Sequence, residues 1–107
     1  MEYNSNSENR DFKGIWISKE VWHSKEIPIT FKMILLEIDT LSKGERGCDI
    51  SFNYFSDLFL LSQSECNHIL EELKQLAYIT IKEIYDSERK FIATNYQLTE
   101  QGILFLR

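Results

Sequence analysis

Residues 52–76 read FNYFSDLFLLSQSECNHILEELKQL, and this stretch decides the predicted fold. After Ser62 the apolar residues recur at Cys66, Ile69, Leu70, Leu73 and Leu76. This spacing is that of one face of a helix, so it predicts a helix over residues 62–76 with a single buried stripe. The rest of the chain can be placed relative to this helix.

Two features define how that helix begins. Ser62 is a suitable N-cap, and Glu65 three residues later completes a capping box. The residues before it predict a shorter helix that Ser51 caps and that ends at Phe59, followed by a tight turn over 60–62. A short helix, a tight turn and a capped second helix form a helix-turn-helix, whose second helix often enters a groove of DNA.

The upstream part predicts a short strand, a short helix and a long helix. Residues 14–17 (GIWI) favour the strand, and Ser18 favours the start of a helical turn. We expect Trp16 and Trp22 to pack in the core, with an exposed stacking platform for bases as the alternative. Residues 30–43 then carry an apolar helical stripe, and three charged residues lie off it: Lys32, Glu37 and Asp39.

The downstream part predicts a β-hairpin. Residues 78–85 and 91–98 are rich in β-branched and aromatic residues, and the polar turn 86–90 separates them. Residues 48–50 favour a further, very short strand. The apolar segment 103–107 needs a partner, which is the domain itself, a second copy of the chain or a further part of a longer protein.

Composition limits the class of protein. With 107 residues, 43% of them hydrophobic, the chain fits one domain, and polar residues 1–11 (MEYNSNSENRD) are expected to form a flexible arm. No apolar run reaches a membrane span, and Cys48 and Cys66 lack a disulfide framework, so we expect reduced thiols and a cytoplasmic location. The net charge of −5 disfavours nucleic acid as a partner, although a local basic face remains compatible with it.

Three blocks resemble a known family. They are FKGIWISKEVW (12–22), ITFKMILLEIDTLS (29–42) and SFNYFSDLFLLSQSECNHILEELKQLAYI (51–79). Their order resembles the helix-turn-helix domains near the N-terminus of phage and plasmid replication-initiator (replisome-organiser) proteins of low-GC bacteria. Residues 96–102 (YQLTEQG) also resemble the wing exit of multiple-antibiotic-resistance-type regulators, in which a following helix dimerises.

The resemblance implies a winged-helix domain that binds duplex DNA at a replication origin or an operator. Two features depart from the pattern. Leu60 stands where such turns usually carry Gly, which requires either a different turn or a left-handed Leu. Residues 62–76 carry three Glu against Lys74 alone, a net charge of −2, whereas helices that read DNA usually present cations.

The candidate DNA-binding residues lie on the predicted second helix and at the tip of the hairpin. They are Gln63, Ser64, Asn67, His68, Arg89 and Lys90. Asn and Gln can make paired hydrogen bonds to adenine, and a helix N-terminus attracts phosphate. The alternative is that all six are ordinary solvated residues. Lys82, on the strand before the hairpin tip, could join the contacts of Arg89 and Lys90, whereas Asp86 and Glu88 in the same turn oppose such contacts. Lower-ranked candidates for backbone contact are Lys32, Lys43 and Arg46.

No catalytic motif is present, so we predict that the chain is not an enzyme and needs no cofactor. Cys48, Cys66 and His68 are of the residue types that bind metal ions, but the spacing of Cys66 and His68 places them on different faces of a helix, which favours a core cysteine. We therefore predict a mainly α fold with a small β-hairpin (α+β), a winged helix-turn-helix over residues 12–107. The predicted function is DNA binding in replication or transcription regulation of a phage or plasmid; the alternative is a protein-interaction module, for instance a homodimer through residues 103–107.

Overall fold

The computed structural model describes residues 14–43, 49–51 and 53–106. Within these residues the chain forms five helices: α1 (Lys19–His23), α2 (Ile29–Ser42), α3 (Tyr54–Phe59), α4 (Gln63–Gln75) and α5 (Glu100–Leu106). It also forms a three-stranded antiparallel sheet of β1 (Asp49–Ile50), β2 (Ile79–Tyr85) and β3 (Phe91–Leu98), in the order β1-β3-β2. The fold is thus mixed helix and strand. The predicted arm 1–11, Arg46 and Cys48 lie outside the described residues.

Helix α2 is buried around most of its circumference. Its buried apolar residues are Ile34, Leu35, Leu36, Ile38 and Leu41. The prediction that Lys32 and Glu37 lie off the buried stripe is wrong, because their side chains are only 3% and 0% exposed. Two charged side chains of α2 are therefore part of the interior of the domain.

Each of these two buried polar groups has partners from another part of the chain. The Lys32 ammonium donates to the carbonyls of Trp22, at 3.0 Å, and of Ser24. These carbonyls lie at the C-terminal end of α1, so the ammonium caps that helix. The Glu37 carboxylate accepts a hydrogen bond of 2.6 Å from the Tyr54 hydroxyl on α3. Buried polar groups are stable only when hydrogen-bonded in this way, so Lys32 is not available to a DNA backbone.

The segment before α1 differs from the prediction. Residues 14–18 form no strand; Ile15 and Ile17 pack against the core, and Trp16 between them is 81% exposed. Trp22 is also 55% exposed, because α1 has only five residues and buries Val21 alone. The prediction that both tryptophans pack in the core is wrong. Ile15 and Ile17 therefore pack against the core without strand pairing.

The link from α3 to α4 is a tight turn, as predicted. Helix α3 begins after Asn53, two residues later than expected, and Leu60 ends it with a left-handed backbone (φ 59°). The Leu61 N–H donates to the Ser56 carbonyl across this residue, which is the hydrogen bond of a Schellman C-cap. The Ser62–Glu65 capping box then starts α4, and its presence is confirmed.

Helix α4 buries Cys66, Ile69, Leu70 and Leu73. Leu76 was predicted to continue this stripe, but it is 43% exposed. The helix ends at Gln75 because Ala77 is left-handed (φ 67°), and the Tyr78 and Ala77 N–H groups donate to the carbonyls of Leu73 and Lys74. This second Schellman motif turns the chain into β2 and leaves Leu76 on the surface.

Helix α5 packs back on the domain. Phe105 and Leu106 pack in the core, and the centroids of the Phe105 and Tyr78 rings are 5.3 Å apart. Ile103 and Leu104 stay exposed, at 38% and 67%. The segment 103–106 is therefore divided between core and surface rather than wholly free for a second copy.

The left-handed Leu60 leads to the first prediction. A left-handed L-residue costs about 1–2 kcal/mol, and glycine removes that steric cost at some loss of chain entropy. Because Leu60 is 89% exposed, its side chain contributes little packing. We expect Leu60→Gly to raise the free energy of unfolding by about 1 kcal/mol in urea denaturation. Leu60→Ala, which removes the side chain but keeps the strain, is the control; equal stabilisation by both variants would contradict the account.

Candidate nucleic-acid interface

The N-terminal half of α4 presents a polar face to solvent. Ser64, Asn67 and His68 are all exposed, and their spacing of three and four residues places them on the same side of the helix. None of the three forms a side-chain hydrogen bond or ion pair within the described residues. All three are DNA-binding candidates predicted from the sequence, and the structure places them together on one face. They form what we call the α4 polar face.

Gln63 lies apart from this face. Its side chain is half-buried, and its Nε2 donates to the Ser56 hydroxyl at 3.0 Å. Ser56 is itself buried on α3 and donates to the Asn53 carbonyl. Gln63 therefore connects the two helices of the turn, a role for which the sequence carried no signal.

The start of α4 is fixed by reciprocal hydrogen bonds. The Glu65 N–H donates to the Ser62 hydroxyl at 3.1 Å, and the Ser62 N–H donates to the Glu65 carboxylate at 3.0 Å. Hydrogen bonding from Ser62, from its backbone first, holds the pKa of Glu65 below its ordinary value of 4.5. A carboxyl with a lowered folded-state pKa stabilises the fold at neutral pH, and this stabilisation is lost as pH falls through that pKa.

The tip of the β2–β3 hairpin is a hydrogen-bonded turn that presents two cations. Asp86 organises it: one carboxylate oxygen accepts from the N–H groups of Glu88 and Lys90, each at 2.8 Å. The Asp86 carbonyl also accepts from the Arg89 N–H, and Arg89 is left-handed (φ 66°). Arg89 and Lys90 are exposed and form no ion pair with the other described residues. Asp86 and Glu88 also bring two carboxylates to the same turn as the two cations, and Asp86 shapes the backbone of the turn.

Comparison of the chain with protein families, with curated proteins and with solved structures gives no match. What the domain does must therefore be inferred from its own surfaces. Among the described residues no helix is long and apolar enough to cross a membrane, and no cluster of His, Cys, Asp and Glu has the arrangement of a metal site.

Cys66 and the remaining cations have ordinary structural surroundings. Cys66 is 3% exposed, and burial raises the pKa of its thiol, which favours the neutral form of a core residue. Lys43 pairs with Asp39 at 3.4 Å on the surface of α2. Lys82 is exposed on β2, and strand alternation places it on the sheet face opposite to Glu83.

Two open grooves border the α4 polar face, and sequence reasoning identified neither. The first, of about 510 Å³, separates α4 from the start of α2 and is lined by Pro28, Thr30, Phe31, Leu61, Ser64, Glu65, His68 and Ile69. The second, of about 500 Å³, separates α4 from the hairpin. We call it the α4–hairpin groove; its lining residues are Asn67, Leu70, Glu71, Ile81, Glu83, Phe91, Thr94 and Tyr96. Such grooves arise between elements distant in sequence, which is why local patterns miss them.

Proposed function

We propose that this chain is a winged helix-turn-helix domain that binds duplex DNA. In this proposal the α4 polar face enters the major groove and the hairpin is the wing, whose tip contacts the backbone. One observation carries the proposal: three exposed polar residues share one face of a capped helix that packs beside a hairpin whose tip presents Arg89 and Lys90.

The chemistry of these residues fits such a role. Asn67 can donate to and accept from an adenine edge, while Ser64 and His68 can bond to base or phosphate. The dipole of α4 adds a partial positive charge at its N-terminus. Because Glu71 and Glu72 lie farther along the helix, we assign most of the affinity to Arg89 and Lys90 and the selectivity to Asn67. From the resemblance described above, we propose a role in replication initiation or transcription regulation of a mobile element.

Fluorescence polarisation with a labelled duplex tests this proposal. We expect micromolar or tighter binding at about 50 mM salt, since sequence-independent phosphate contacts suffice under that condition. Arg89→Asn should weaken binding about five-fold and reduce the salt slope by about one, as loss of a phosphate contact does. Asn is chosen because it tolerates the left-handed backbone at this position, so that charge is lost without added strain.

Lys19→Gln is the matched control, because it removes one exposed positive charge on α1, outside the proposed surface. It should change the affinity less than two-fold. Equal losses for both variants would show that net charge alone matters. Absence of binding by the unaltered protein would contradict the proposal itself.

A second candidate function is favoured by the exposed apolar residues around α5. Leu76, Ile103 and Leu104 are all more than a third exposed, and the Gln101 amide donates to the Leu76 carbonyl, which brings the start of α5 to the end of α4. This surface suits a protein partner or a second copy of the chain. Sedimentation velocity tests the second-copy form of this alternative: a homodimer that becomes a monomer on Leu104→Ser would support it.

A further inference from the structure

The α4–hairpin groove combines an apolar floor with acidic walls. Leu70 comes from α4, Ile81 from β2, and Phe91 and Tyr96 from β3. Phe91 remains 45% exposed although it meets the Tyr85 ring edge-on. Aromatic surface left open beside a groove of this size suits a ligand side chain, since binding pockets of about 300–1,000 Å³ are mostly apolar with a few polar groups.

The charges of the groove all have one sign. Glu71 stands on the α4 wall and Glu83 on the β2 wall. Both are exposed, and neither forms an ion pair with another residue in the described ranges. The Glu83 carboxylate is instead oriented by a hydrogen bond from the Tyr85 hydroxyl.

The nearby cations do not neutralise the two walls. Lys82 lies on the other face of the sheet, and the groove is lined neither by Lys74, one turn beyond Glu71, nor by Arg89 and Lys90 at the hairpin tip. A phosphate backbone in this groove would meet two carboxylates without a cation between them. A segment that carries Lys or Arg would meet complementary charge, which steers and specifies association.

We propose that the α4–hairpin groove docks a short basic segment of a partner protein, with an apolar side chain on Phe91, Ile81 and Tyr96 and flanking cations at Glu71 and Glu83. This site goes beyond DNA binding by the α4 polar face. Asn67 lines the groove and also belongs to that face, so a docked segment and duplex DNA would compete for it.

The test uses the whole chain and a fluorescein-labelled peptide in which a central Leu-Phe pair is flanked by lysines and arginines. We expect saturable binding that weakens at least about five-fold for Glu71→Gln combined with Glu83→Gln at about 50 mM salt. The control variant, Glu20→Gln with Glu100→Gln, makes the same change in net charge on α1 and α5 and should bind within two-fold of the unaltered protein. A peptide with Ser in place of Leu-Phe should bind at least about five-fold more weakly, because the floor is apolar.

Equal weakening in both double variants would overturn the proposal, since binding would then follow net charge alone. Unchanged binding by the Glu71 and Glu83 double variant would overturn it as well. Amide chemical shifts with unlabelled duplex form the last arm: shifts centred on Glu71, Glu83 and Thr94 would make the groove a nucleic-acid site instead. No DNA is present in the peptide arms, so their outcome is independent of whether the domain binds DNA.

Discussion

Leu73→Ala is expected to lower the free energy of unfolding by about 3 kcal/mol, within the range measured for buried Leu→Ala changes. Leu73 is fully buried on α4, in the core cluster that also includes α2 and the first residue of β2. Its carbonyl also accepts the Tyr78 N–H that ends the helix. Truncation of Leu73 therefore removes apolar contacts and leaves a cavity beneath α4, the helix that is proposed to enter the major groove.

Leu76→Ala provides the matched control for this change. The residue type and the number of atoms removed are the same, but Leu76 lies just after the end of α4 and is 43% exposed. Leu76→Ala should lower the free energy of unfolding by less than about 1 kcal/mol, because folding buries little apolar surface of the Leu76 side chain. Comparable losses in urea denaturation would mean that the buried stripe of α4 continues to Leu76, contrary to the structure.

Gly102→Ala is expected to destabilise the fold by about 2–3 kcal/mol, the cost typical of forcing extra volume into a packed site. A Cβ at Gly102 would lie 2.3 Å from the backbone carbonyl oxygen of Tyr78. That oxygen cannot simply move away, because it accepts the Thr99 N–H at 3.0 Å. The Thr99 hydroxyl accepts the Gly102 N–H and donates to the Ala77 carbonyl. These bonds hold the start of α5 against the α4–β2 turn.

Gln101→Ala is the comparison for Gly102→Ala, since it adds no volume at the contact and removes only an exposed hydrogen bond of 3.4 Å to the Leu76 carbonyl. It should alter stability by less than about 0.5 kcal/mol. Gly102→Ala should also disturb the Tyr78–Phe105 ring contact, which near-ultraviolet circular dichroism reports. A fully stable Gly102→Ala variant would show that α5 does not approach Tyr78 this closely.

Elements specified by local signals could be predicted from the sequence. The Ser62–Glu65 capping box, the apolar spacing from Cys66 to Leu73 and the two hairpin strands depend on neighbouring residues, and the structure has each of them. Within the candidate site, the shared exposed face of Ser64, Asn67 and His68 follows from helical spacing alone. Whether that face binds DNA stays a prediction.

Features that depend on distant partners could not be predicted. Lys32 and Glu37 are interior because Trp22, Ser24 and Tyr54 supply their hydrogen bonds, and no periodicity reveals such partners. Glycine usually marks a left-handed helix end, but Ala77 fills that position after α4, so no sequence signal indicates that Leu76 is exposed. The acidic groove likewise needs α4 and the hairpin to be placed before Glu71 and Glu83 can be seen as its two walls.

An amide chemical-shift titration of the isotope-labelled chain with duplex DNA, at about 50 mM salt, tests the central proposal most directly. We expect the largest amide shifts at Ser64, Asn67, His68, Arg89 and Lys90, and unchanged amide shifts in α5. No shifts at micromolar protein, or shifts confined to Leu76, Ile103 and Leu104, would contradict it.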